Sequence, residues 1–184
     1  MLYRFGVNLT DDEYYKFNVF MQTRSEMGKK NVWLTRIVFT VAAVIFALVL
    51  FSTGTLGVMS IPFLIQVAIV ILIFQIKYIA IVKYFIRKAI ESYKEQGKFI
   101  YSPESVIEFD EDKLYEITDE SKIEQMLSNM EFVSICEYDK VIYISRNAAM
   151  TFVMPYRVFE NDEQREEFIE FLRRKCNKVE VCLK

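Results

Sequence analysis

Histidine is absent from this chain of 184 residues, which removes hydrolytic triads and imidazole-based acid–base catalysis from consideration. Glycine is scarce, at five residues, and no glycine-rich phosphate loop can be drawn; the close pair Gly54 and Gly57 sits in an apolar region. Cysteine is limited to Cys136, Cys176 and Cys182. The last two are six apart, which fits no zinc spacing, and all three read as small buried apolar residues. No catalytic, cofactor or metal site is expected, and the chain does not read as an enzyme. Charge is the most local absence: from Ile37 to Ile76 there is no Asp, Glu, Lys or Arg.

An uncharged run of that length is enough for two membrane crossings, since each needs about 20 residues. Small and polar residues cluster within it only at Ser52-Thr53-Gly54-Thr55-Leu56-Gly57, which marks a turn. The spans are expected at 32–51 and 59–78, with Ser60 as a cap and Pro62 in the first turn of the second. Backbone groups in lipid must be satisfied internally, so two spans mean a helical hairpin. Its polar residues are Thr40, Gln66 and Gln75, suited to bonding across the pair or between protomers. Arg24, Lys29, Lys30 and Arg36 precede the run, and Lys77, Lys83, Arg87 and Lys88 follow it. Positive flanks mark the cytoplasmic side, so both termini are expected in the cytoplasm of a two-span cell-membrane protein. Trp33 and Tyr78 stand where aromatic rings anchor at the headgroups, and the mostly polar residues 1–31 argue against a cleaved signal peptide.

Three segments result: 1–31, a cytoplasmic strand and short helix; 32–97, the hairpin with a helical extension; and 98–184, a cytoplasmic domain. In the first, residues 2–7 alternate as a strand, and Thr10 with Glu13 has capping-box spacing. Helical periodicity continues past Lys77 as a basic amphipathic extension, and Gly97 suits its stop. From there the period becomes that of short strands, at 106–110, 113–118, 122–126, 132–138, 141–145 and 148–154. Arg146-Asn147 reads as a turn. Asn161, with Gln164 three residues on, opens a helix that is acidic early, basic late and apolar at Phe168, Phe171, Leu172 and Cys176. A terminal strand is expected at 179–183. The class is α+β, an antiparallel meander curling into a sandwich or barrel. Residues 1–97 carry a net +5 and residues 98–184 a net −7, out of −2 overall. An acidic domain is repelled by nucleic acid and by anionic headgroups, so neither is an expected partner of it.

The order of segments resembles a known family. A short strand, Thr10-Asp11-Asp12-Glu13-Tyr14-Tyr15-Lys16-Phe17-Asn18, two spans, Val141-Ile142-Tyr143-Ile144 and Phe152-Val153-Met154-Pro155-Tyr156-Arg157-Val158-Phe159 before an acidic helix look like the YcxB-like bacterial membrane proteins. Many members carry a Trp before the central hairpin, where this chain reads Met130-Glu131-Phe132. The resemblance implies a pleckstrin-homology-like (PH-like) domain, a bent sheet or barrel capped by the last helix. It implies no activity.

The expected function is a membrane-anchored interaction or regulatory module, with the bilayer and a protein partner or second copy as its contacts. A subunit of an oligomeric channel or transporter is the alternative. The first hairpin of the domain offers Glu108, Asp110, Glu111, Asp112 and Glu116 against Lys113. That acidic surface is unsuited to phosphoinositide headgroups, which need several cationic donors, and suited to a basic protein segment. Read as a calcium or catalytic site it is weak, because carboxylates crowd solvated hairpin tips.

Overall fold

The structure is a computed structural model that describes residues 2–53, 60–97, 104–119, 121–147 and 150–182. Most of the expected turn between the spans, including Gly54 and Gly57, lies outside the described residues, as do 148–149 and Leu183. The chain divides into two compact units, residues 1–17 with 93–184, and residues 18–92.

In the first unit, β1 (Tyr3–Asn8), β2 (Glu104–Phe109), β3 (Lys113–Ile117) and β4 (Lys122–Met126) form one antiparallel sheet in that order. Strand β1 precedes both long helices in the chain, yet it pairs with β2, which follows them: Phe5 stands opposite Ile107 and Tyr3 opposite Phe109. Strand alternation turns Phe5, Val7, Ile107, Phe109 and Leu114 to the core. A second sheet has the order β7-β6-β5-β8, from β5 (Phe132–Cys136), β6 (Val141–Asn147), β7 (Met150–Pro155) and β8 (Val179–Cys182). Here the expected turn at Arg146-Asn147 is corrected: β6 runs through both residues, with an irregularity between Ser145 and Asn147. Of the expected sandwich or barrel, the barrel is corrected as well, and two sheets are found. A 3-10 turn at Leu127–Asn129 separates β4 from β5, and β8 takes the free edge of β5 in parallel register. The edge that closure would need is therefore occupied, and among the described residues the strands form two sheets.

One apolar cluster joins both sheets to α4 (Asp162–Lys175). Asn161 Oδ1 accepts from the Gln164 backbone N–H at 2.8 Å, which caps the first turn. Arg173, Arg174 and Lys175 fill the last turn, where the helix dipole favours cations. Phe168 is fully buried, its ring meeting Phe109 at 4.8 Å, Tyr3 at 5.2 Å and Phe5 at 5.2 Å between centroids. These edge-on contacts bring strands from opposite ends of the chain onto one helix.

The second unit is built on α2 (Glu26–Ser52) and most of α3 (Ser60–Glu95). Helix α2 starts six residues before the expected span, because Ser25 caps it by accepting from the Gly28 N–H at 3.0 Å. Helix α3 runs unbroken through the expected extension, and Gly97 follows it with φ 66°, the left-handed stop that glycine favours. Both helices are long and apolar enough to cross a membrane, and their most apolar stretches are 6% and 0% buried. Between α1 (Asp11–Thr23) and α2 the chain turns sharply. Ser25 Oγ donates to the Met21 carbonyl at 2.7 Å, and a Cβ on Gly28 would stand 2.4 Å from that same oxygen.

Candidate functional site

The acidic residues of the β2–β3 hairpin do not form one surface. Glu108 projects from the outer face of β2 and meets Arg4 Nε at 3.4 Å; the two are direct partners in the β1–β2 register. Asp112, in the turn, accepts from Lys175 Nζ at 2.9 Å. Lys113 is itself taken by Glu124, at 2.6 Å across the β3–β4 pair. Glu116 lies on the face of β3 that carries the buried Leu114, opposite Ile107 and Ile123, and burial pushes its carboxyl above the ordinary value. Asp110 closes the turn, its N–H donating to the Lys113 carbonyl at 2.8 Å, and Glu111 is exposed beside it. The neutralising cations come from β1 and α4, far away in sequence, which is why a local charge count misses them.

A second grouping gathers the segments that carried the family resemblance. Thr10 and Glu13 form the reciprocal cap: Thr10 N–H donates to Glu13 Oε2 at 2.8 Å, and Glu13 N–H to Thr10 Oγ1 at 3.2 Å. Arg157, in the 3-10 turn after β7, then donates Nε to Glu13 Oε1 and Nη2 to Glu13 Oε2, both at 2.8 Å. The same Nη2 donates to the Asn8 carbonyl. Burial pushes the Glu13 carboxyl up, but the bonds from Arg157 and Thr10 outweigh it and hold the group below its ordinary value. Asp11 takes Lys94 from the end of α3. The start of α1 is thus tied by charge to the turn after β7 and to the end of α3. Spacing in the sequence shows the cap; nothing in it announces its partner 144 residues on.

Beside the ends of β1, β2 and β3 lies a cavity of about 430 Å³. Its lining combines the carboxylates of Glu104 and Asp119 with Asn8, Thr118 and the apolar Val106 and Ile117. Such a mixture fits a long basic side chain, whose stem is apolar and whose tip is cationic.

In the helix pair, Gln75 Nε2 donates to Thr40 Oγ1 at 2.8 Å and to the Arg36 carbonyl at 3.2 Å. Thr40 Oγ1 donates in turn to that carbonyl at 2.9 Å. Phe39 and Phe74, the residues just before Thr40 and Gln75, stack with centroids 3.8 Å apart. Two of the three polar candidates of the helix pair, Thr40 and Gln75, thereby satisfy each other across it, while Gln66 is exposed on α3. Of the three cysteines expected to be buried, two are, and Cys182 is corrected to half-buried. Cys136 and Cys176 are buried, and Cys182 stands opposite Cys136 in the β5–β8 register. The neighbouring Cys182 thiol and burial push the Cys136 thiol far up, and burial pushes Cys176 up to about 11, so neither is an activated nucleophile. Among the described residues no group of three or more Cys, Asp or Glu side chains is placed to hold a metal ion. The chain matches no protein-family model, no curated protein and no solved structure.

Proposed function

We propose that this is a membrane-anchored interaction module of the YcxB-like kind. Helices α2 and α3 cross the cell membrane as a hairpin, and the α+β unit stands on the cytoplasmic face as a PH-like domain that binds a protein partner. One observation carries the reading: side chains such as Phe46, Leu48, Leu72 and Ile76 are 59–66% exposed along α2 and α3, while the α+β unit closes a core of its own. Apolar surface on that scale calls for lipid or a protein partner. Two sheets closed by a C-terminal helix support the PH-like reading, with β8 as an addition to it. The net −7 of residues 98–184 supports a basic protein segment as the partner. The cavity with Glu104 and Asp119 is the place we assign to that segment, because its mixed lining suits a long basic side chain.

Pull-down of the intact protein from native membranes is the test. A partner is expected to co-purify with the wild type and to be lost when Glu104→Lys and Asp119→Lys are combined. The second reading, a subunit of an oligomeric channel or transporter, draws on Gln66. An amide facing hydrocarbon lacks hydrogen-bond partners there, and a second protomer would supply them. Reconstituted vesicles that conduct ions or move solutes, with no partner co-purifying, would favour that reading over the module.

A further inference from the structure

In the α+β unit several cations sit on carboxylates: Arg4 on Glu108, Lys113 on Glu124, Arg157 on Glu13, Lys175 on Asp112. The helix pair behaves differently. Lys29, Lys30, Arg36, Lys77 and Lys83 have no carboxylate partner among the described residues. Arg36 is the most constrained of them. Its Nε is buried with no acceptor, and its guanidinium lies over the Tyr78 ring at 5.6 Å from the centroid. The bonds that Gln75 Nε2 and the Thr40 hydroxyl donate beside it go to the Arg36 carbonyl and to each other, not to the guanidinium. The contacts of Arg36 with Gln75 and Tyr78 also fix its depth. Arg36 is the last charge before the uncharged run and Lys77 the first after it, and the pairing puts both at one level of the hairpin.

On the membrane reading, that level is the border of the hydrocarbon on the cytoplasmic side. The anion available to a cation there is a lipid phosphate, and a guanidinium already held over an aromatic ring is positioned for it. We propose that Arg36, with Lys77 and Tyr78 beside it, forms a headgroup site for an anionic phospholipid at the inner end of the helix pair. Lys29, Lys30 and Lys83 extend away from the site along the helices and raise the local concentration of such lipids by their field. A zwitterionic lipid offers the same phosphate but gains nothing from the surrounding lysines, so selectivity for net negative charge follows. The lipid belongs to the hairpin and not to the acidic domain.

Native mass spectrometry of the full-length protein, released from detergent with phosphatidylglycerol or phosphatidylcholine of identical chains, tests the site. Phosphatidylglycerol is expected to be retained in preference. Arg36→Gln and, separately, Lys77→Gln should each weaken that retention by about tenfold, the worth of one charge-assisted hydrogen bond. Two variants are used so that a folding failure of one leaves the other decisive, and Lys178→Gln, on β8's flank in the other unit, should bind as the wild type does. Equal retention of the two lipids, or unchanged retention in both hairpin variants, would overturn the proposal. Because the site rests on the membrane reading, alkaline carbonate extraction is run on the same membranes. Lost selectivity in a protein that resists extraction sinks the lipid site alone, whereas extraction sinks the membrane reading with it.

Discussion

Two glutamates in the α+β unit show how surroundings set the sign of a pH effect. Glu13, bonded by Arg157 and Thr10, has its carboxyl held below the ordinary 4.5. It stabilises the fold above that value, and the contribution is lost as pH falls through the depressed one. Glu116 is the reverse case, raised above 4.5 by burial on the core side of β3. Its neutral form suits the fold, so stability is full below 4.5 and declines as pH rises through the raised value. Glu116→Gln, which keeps the shape and removes the charge, is expected to melt above the wild type at pH 7. The two should converge as pH approaches about 4.5, where the native side chain is itself becoming neutral. Thermal melts of the full-length protein in detergent across that range check it, and a variant that melts lower throughout would show that Glu116 makes a favourable charged contact. From the sequence, Glu116 was one of five hairpin carboxylates. Its inward direction was readable from alternation with Leu114, but local charge density masked that signal.

At the scale of elements, the parts that declare themselves in sequence are those held by local chemistry. Thr10 with Glu13 and Asn161 with Gln164 cap the helices that their spacing indicates, and Gly97 ends α3. Strands β3 and β4 fall within a residue of the alternating segments. What did not declare itself depends on distant chain. The parallel edge contact of β8 on β5 is a product of the tertiary fold, and so is the pairing of β1 with β2. The corner between α1 and α2 is an intermediate case. Ser25 and Gly28 are an ordinary cap and an ordinary small residue until the approach of the Met21 carbonyl is seen. A methyl group at residue 28 would meet backbone at 2.4 Å, and backbone cannot swing aside as a side chain does. Gly28→Ala is therefore expected to open the corner and speed tryptic cleavage after Arg24, next to the buried Ser25, by at least several-fold. An unchanged cleavage rate would mean that the corner yields without cost.

For the molecule as a whole, length and charge argue together. From the last charge of α2 to its end is about 24 Å at 1.5 Å per residue, and from Ser60 to Lys77 about 26 Å. Each is close to a hydrocarbon core of roughly 30 Å, with basic residues at one end of each helix and none at the other. The hairpin was legible in the sequence because its signal is compositional and continuous over many residues. The candidate cavity was not, because its lining comes from β1, β2 and the end of β3, which only the fold brings together. The central claim is that α2 and α3 cross the membrane with both termini on the cytoplasmic side, and thiol labelling in intact cells tests it most directly. A cysteine placed at Thr53, at the end of α2, is expected to react with a membrane-impermeant maleimide, while one at the exposed Glu111 should react only after lysis. Labelling of the Glu111→Cys protein in intact cells, with the Thr53→Cys protein protected, would contradict the account.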